Sequence, residues 1–209
     1  MDRRYSPGRR DGAATHVITL SQLFPHPLPA VWAAFLSPER LARWFAPVTG
    51  DLRLGGRYQV QGNAGGVVEG CEPERRIALT WEAMGSTSWV TLDFAAEVGG
   101  TRLTLTHTAR AQDLPPEFWD KFGPGATGVG WELGFIGLGL HLPQPEVPRP
   151  ADFETTWVAS PEGRAAIIAS ARGWTEAAVA GGVARDASAG WAAELVAFYT
   201  GRPLADDEG

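Results

Sequence analysis

Pro29-Ala30-Val31-Trp32-Ala33-Ala34-Phe35-Leu36-Ser37-Pro38-Glu39-Arg40-Leu41-Ala42-Arg43-Trp44-Phe45-Ala46-Pro47 reads as two short helices placed end to end. Pro29 suits a first helical turn, where a missing N–H has no partner to lose. Val31, Trp32, Phe35 and Leu36 then recur at helical spacing on one side. Ser37-Pro38 restarts the pattern, a hydroxyl cap followed by proline at the first helical position. Leu41, Trp44 and Phe45 form the apolar side of the second piece, and Pro47 ends it.

On both sides of this pair the period changes from helix to strand. Thr15 to Leu23 alternates loosely and is read as a first strand. Gly50 to Gln61 alternates through Leu52, Leu54, Tyr58 and Val60, and Gly55-Gly56 within it suggests a bulge or bend. Val67 to Glu72 is a short strand closed by Pro73. Arg75 to Glu82 places Ile77, Leu79 and Trp81 on one face. Ser86 to Val98 does the same with Val90, Leu92, Phe94 and Ala96. Gly99-Gly100 is a hairpin signal, and Thr101 to Thr108 returns with Leu103, Leu105 and His107 on one face. Five consecutive strands with one apolar face each make an antiparallel meander that needs a cover.

The cover is expected after Pro115-Pro116: a short helix near Glu117–Phe122, a glycine turn, then a helix from about Thr127 to Leu142. Val129, Leu133, Ile136 and Leu140 define one face, and Trp131, Phe135, Leu138 and Leu142 another. A helix apolar all round is buried on more than one side. Gly130, Gly134, Gly137 and Gly139 lie inside it, each costing roughly 0.8–1.0 kcal/mol relative to alanine. Close approach of the sheet, another helix or a ligand would compensate.

Residues 143–159 are proline-rich at their start and read as a linker. Residues 160–201 read as a helical extension. Ser160-Pro161 opens one helix with an Ile167, Ile168, Ala171, Trp174 and Ala178 stripe, stopped by Gly181-Gly182. Asp186 is read as the cap of a last helix carrying Trp191, Leu195, Phe198 and Tyr199 and ended by Gly201. The extension is expected to pack on the outer side of the 127–142 helix, or on that helix in a second subunit, which would make a homodimer. Residues 1–14 and the acidic 202–209 read as tails, the first disordered.

The 209 residues suit one main domain plus an extension, against the ~100–200 residues of an ordinary domain. A net charge of −6 argues against nucleic acid or an anionic membrane as partner. No apolar run approaches the ~18 residues of a membrane span, and the arginine-rich start lacks the apolar stretch of a secretory signal. A soluble cytoplasmic protein is expected. The single cysteine, Cys71, excludes an internal disulfide and a multi-cysteine metal site. His16, His26, His107 and His141 form no metal-binding pair, so neither metal nor cofactor is expected. Cys71 lies beside Glu72 and Glu74, without the positive surroundings that lower a thiol pKa, and is read as structural.

Two constellations invite a chemical reading. Gly123-Pro124-Gly125-Ala126-Thr127-Gly128 is a literal GxGxxG, but no strand precedes it and the next acid, Glu146, sits among prolines. It is read as a turn before the long helix rather than a dinucleotide site. His107 falls on the apolar face of its strand. Val67, Glu69 and Cys71 share one face of theirs, and either that face or the face of Val68 and Gly70 points inward. In the first case Glu69 is a buried carboxylate able to pair with His107, as acid–base groups or ligand anchors. In the second His107 is satisfied within the core.

Four pieces of the chain resemble the AHSA1-type domain of the START/Bet v 1-like superfamily, over about residues 15–142. They are the Pro29–Pro47 stretch, Leu79-Thr80-Trp81-Glu82, Gly100-Thr101-Arg102-Leu103-Thr104-Leu105-Thr106-His107, and Gly130-Trp131 opening the long helix. The resemblance implies an α+β helix-grip fold, a curved antiparallel sheet wrapped around a long C-terminal helix. It also implies a cavity between sheet and helix for an apolar small molecule. Trp44, Phe45, Tyr58, Trp81, Phe94, Leu103, Leu105, His107, Trp131 and Phe135 converge there in the inferred fold. The 160–201 segment resembles a two-helix extension found on some actinobacterial members. Three functions follow as expectations. The first is binding of an apolar or aromatic small molecule. The second is a polyketide cyclase or hydrolase reaction in the same cavity, with Glu69 and His107 as its candidates. The third is a chaperone-linked interaction domain, although the separate amino-terminal co-chaperone domain of such activators is absent from this sequence.

Overall fold

The computed structural model describes residues 1–148, 150 and 152–201. An eight-stranded sheet forms its frame: β1 (Asp2–Arg10), β2 (Ala13–Phe24), β3 (Val48–Gly50), β4 (Arg57–Val60), β5 (Gly65–Glu72), β6 (Arg76–Ala83), β7 (Ser86–Glu97) and β8 (Gly100–Arg110). All neighbours are antiparallel, in the order β1-β2-β8-β7-β6-β5-β4-β3. The alternation read in the sequence sets the faces. On β8, Leu103, Leu105 and His107 are buried while Arg102, Thr104 and Thr106 point outward.

Helices α1 (Leu28–Ala33) and α2 (Pro38–Trp44) form where the proline and serine signals put them. The Ser37 hydroxyl accepts the Arg40 amide, and Pro38 opens α2. Then come α3 (Pro116–Phe122) and the long α4 (Gly125–His141). Val129, Phe135 and Leu138 of α4 join Leu20, Phe24, Leu103 and Leu105 of the sheet in one core. The fold is the α+β helix grip, a curved sheet around α4.

The amino terminus is a strand, not the disordered tail expected for residues 1–14. Asp11 (φ 50°) and Gly12 (φ 82°) make a tight turn that folds β1 back on β2. Such Asp-Gly turns carry two left-handed residues and match strand twist. Pro7 is tolerated because β1 is the sheet edge, where one face of the ladder needs no donor. The arginine pattern had hidden the strand: Arg3 is drawn inside by a carboxylate. Its guanidinium makes a bidentate pair with Glu132 of α4, Nε to Oε1 at 2.5 Å and Nη2 to Oε2 at 2.8 Å.

The segment read as one strand from Gly50 to Gln61 is two. Gly50 (φ 101°) leaves the ladder and the chain rejoins at Arg57. The expected 143–159 linker contains α5 (Phe153–Ala159), and the 202–209 tail lies outside the described residues. In the extension, α6 (Pro161–Ala180) is capped by the Ser160 hydroxyl, which accepts the Gly163 amide at 3.0 Å. The last helix, α7 (Trp191–Thr200), starts at Gly190 rather than at Asp186. Residues 185–190 form turns instead of a capped first turn.

The extension covers α4 through its glycines. A Cβ on Gly123 or Gly128 would overlap the rings of Trp191 and Trp174, and one on Gly125 would overlap Leu195. The GxGxxG run is therefore the stripe on which α6 and α7 seat their large side chains. Helix α3, not a strand, precedes it. The Tyr199 hydroxyl adds a hydrogen bond to the Ala126 carbonyl.

Candidate functional site

The concave face of the sheet does not close fully on α4. Ile77, Leu79 and Trp81 of β6 point inward yet remain only partly buried, as do Phe35, Leu41 and Phe45 of the helix pair. Between them lies an inner chamber of about 150 Å³. Its walls come from the α1–α2 segment, from β4 to β8, and from Trp131, Gly134 and Phe135 of α4. The lining is largely apolar, and two of its polar groups are turned to protein carbonyls. The Tyr58 hydroxyl donates to the Thr80 carbonyl at 2.6 Å, and the Trp44 indole donates to the Ala34 carbonyl at 3.0 Å. Burial raises the Tyr58 pKa, with the Glu82 charge adding to it, so the phenol stays neutral.

Gly134 has a distinct place in this wall. An added Cβ there would meet nothing nearer than the Phe45 ring at 3.7 Å, an ordinary contact. Helix packing therefore does not require a glycine at 134, unlike 125 and 128. The space it leaves belongs to the chamber.

A second, outer chamber of about 400 Å³ lies on the other side of Trp131. It carries Thr87, Ser88, Thr127, Arg110 and Asp113, with Tyr199 of α7 and the exposed Met84 at its edge. Phe45, Trp81 and Trp131 line both chambers and form the wall between them. The Trp131 ring is parallel to Phe45 at 6.2 Å and tilted against Trp81 at 4.8 Å.

His107 sits behind that wall, 7% exposed, with both ring nitrogens engaged. The Trp131 indole N–H donates to Nδ1 at 2.9 Å, and Nε2 lies 2.7 Å from the Ser88 hydroxyl. Indole is a donor only, so Nδ1 is the acceptor and Nε2 carries the proton. Ser88 passes its own proton to the Trp81 carbonyl at 3.0 Å. Burial lowers the imidazole pKa to about 4, so it is neutral near neutral pH.

Of the residues expected at the site, Trp44, Phe45, Tyr58, Trp81, Leu105, Trp131 and Phe135 line the inner chamber. His107 borders the outer one. Phe94 and Leu103 do not reach either: Phe94 packs edge-on against Trp32 and Phe35, and Leu103 is sealed in the core. On β5 it is Val68 that is buried opposite Leu79, the second of the two alternatives, so Glu69 next to it is exposed and no pair with His107 forms; a bulge follows between Val68 and Gly70. The same bulge moves Cys71 to the inward face opposite Ile77, where it is an exposed thiol at the chamber rim and not a packed structural residue. Val68, Val90 and Leu92 also line the chamber, and the sequence reading gave them a strand face but no place at the cavity. Their alternation marks the face, but any buried strand would show it.

Among solved structures, the crystal structure of CalU16 from Micromonospora echinospora matches with a TM-score of 0.65 and 29% identity, covering 87% of this chain and 98% of that one. The CalU16 solution NMR structure matches with a TM-score of 0.65 and 28% identity, over 86% and 96% of the two chains. DynU16, a protein of the dynemicin biosynthetic locus, shares the fold with a TM-score of 0.53 and 20% identity, over 61% of this chain and 47% of its own. No curated protein matches. The sequence model of the family described as Activator of Hsp90 ATPase homolog 1-like protein matches residues 25–133, from the helix pair to the first half of α4. That is just over half of the sequence, and the chain belongs to this AHSA1 family.

Proposed function

We propose that this protein binds an apolar small molecule in the inner chamber and does not transform it. The observation that carries the reading is the chamber itself: an apolar hollow in which the Tyr58 hydroxyl and the Trp44 indole are already paired with protein carbonyls. Apolar cavities of about 150 Å³ stay dry and accept benzene-sized guests. Gly134 supports the reading, because a helix glycine costs roughly 0.8–1.0 kcal/mol with no packing return here. The one candidate acid–base pair is not assembled, since Glu69 faces solvent and His107 has both nitrogens occupied.

The test is a calorimetric titration with toluene of the protein and of Gly134→Leu, whose side chain would occupy the chamber from α4. The expected result is saturable binding at one toluene per chain, lost in Gly134→Leu while that variant stays folded. No saturable binding by the unaltered protein, or equal binding by Gly134→Leu, would overturn the proposal.

A further inference from the structure

We infer that Trp131 is a movable partition, and that the full ligand of this protein spans both chambers. Such a ligand is an elongated molecule with an apolar ring system at one end and a hydroxyl-bearing, hydrogen-bonding portion at the other. The inference rests on the small-molecule reading above and deepens it.

Size is the first argument. Ligand pockets usually run to ~300–1,000 Å³, and the inner chamber at about 150 Å³ falls short while the outer one at about 400 Å³ does not. Chemistry is the second. The inner chamber offers no unpaired hydrogen-bonding side chain on Tyr58, Trp44 or Trp131, whereas Thr87, Thr127, Arg110 and Asp113 face the outer one. A molecule filling both must be apolar at one end and polar at the other.

The partition is the third. Trp131 is only partly buried; Phe45 and Trp81 contact its ring, and the hydrogen bond to His107 is the one polar bond of its indole among the described residues. Gly130 and Gly134 flank it on α4, one bordering the outer chamber and one the inner, so at these two positions the helix sets no side chain against the ring. Replacing the His107 acceptor by a ligand hydroxyl would preserve the donor's bond once the ring has turned. A single neutral hydrogen bond is a weak latch, worth a factor of roughly three to ten in the population of the closed position.

The probes are 2-naphthyl glucoside, which has both ends, and toluene, which has only the apolar one. The reporter is the indole N–H resonance of Trp131, assigned by its loss in Trp131→Phe. The glucoside should saturate at one per chain and move that resonance away from its His107-bonded position, while toluene leaves it there. Trp131→Phe keeps a ring but removes the latch, and should speed glucoside association roughly threefold to tenfold. Trp131→Ala should speed it at least as much. A Trp131 resonance unmoved at glucoside saturation, or unchanged association in both variants, would overturn the partition. So would toluene binding with no glucoside binding, which leaves the single-chamber reading standing. Absence of toluene binding as well would bring down both.

Discussion

His107 accepts the indole N–H of Trp131 at Nδ1, 2.9 Å away, and so must be neutral for the wall between the chambers to hold. Its burial and the lowered pKa of about 4 set a pH dependence. Between the ordinary histidine value near 6.5 and about 4, the unfolded chain takes up a proton that the folded chain refuses. Stability is therefore fully present above about pH 6.5, falls as pH drops, and reaches its full loss near pH 4. The loss is of order 3 kcal/mol from this group, and His16 and His141, also lowered by burial, add in the same direction. Urea denaturation at intervals from pH 7.5 to 4 should show this decline, and His107→Gln, which cannot titrate, should show a shallower one. Equal slopes in the two proteins would contradict the assignment.

Gly128 and Gly134 stand six residues apart on α4 and should respond oppositely to the same change. At Gly128 an added methyl group overlaps the fully buried Trp174 ring. Overpacking of that kind costs ~1–3 kcal/mol, more than the ~1 kcal/mol of helix propensity regained. At Gly134 the nearest atom is 3.7 Å from the new Cβ, and the propensity gain stands alone. Thermal melting should place Gly134→Ala a few degrees above the unaltered protein and Gly128→Ala below it. A Gly128→Ala protein as stable as Gly134→Ala would show that the extension does not seat on this stripe as described.

Arg3 and Glu132 join the first strand to the long helix, and Glu132 is 2% exposed. Breaking such a pair from one side leaves a buried charge without a partner, at ~3–5 kcal/mol. Arg3 is 23% exposed in its side chain, which admits some water and favours the lower figure. Arg3→Ala should lower the urea midpoint markedly, whereas the double change Arg3→Met with Glu132→Leu should recover much of the loss. A near-neutral Arg3→Ala would mean the amino-terminal strand is not held by this pair.

The fold was largely legible because its decisive signals are local. Ser37-Pro38 and Ser160-Pro161 start helices by capping, Gly99-Gly100 turns a hairpin, and the inward faces of β6, β7 and β8 follow from period two. The amino-terminal strand escaped because its stabilisation is long-range: Arg3 reads as a solvated cation until Glu132, 129 positions away, comes alongside. Yet Asp11-Gly12 was a local hairpin signal in plain view. The site was legible as a set of aromatic residues but not as two chambers. The bulge beside Glu69 puts Cys71 opposite Ile77 on the inward face that strict alternation from Val68 would give to Gly70, and no alternation pattern announces a bulge. Gly130, Gly134, Gly137 and Gly139 of α4 read as a cost seeking a cause, and only the packed structure separates Gly137, pressed on the Trp44 carbonyl, from Gly134, which borders the chamber with no close contact.

The central claim is that an apolar guest occupies the space between β5–β8 and α4, and its most direct test is the location of a bound molecule in solution. Intermolecular nuclear Overhauser effects would be recorded between the ring protons of toluene and the methyl groups of the protein. The account predicts contacts to Val68, Val90 and Leu105, which line the inner chamber. Contacts only to exposed methyls such as those of Leu54 or Val98, or none at all, would contradict it.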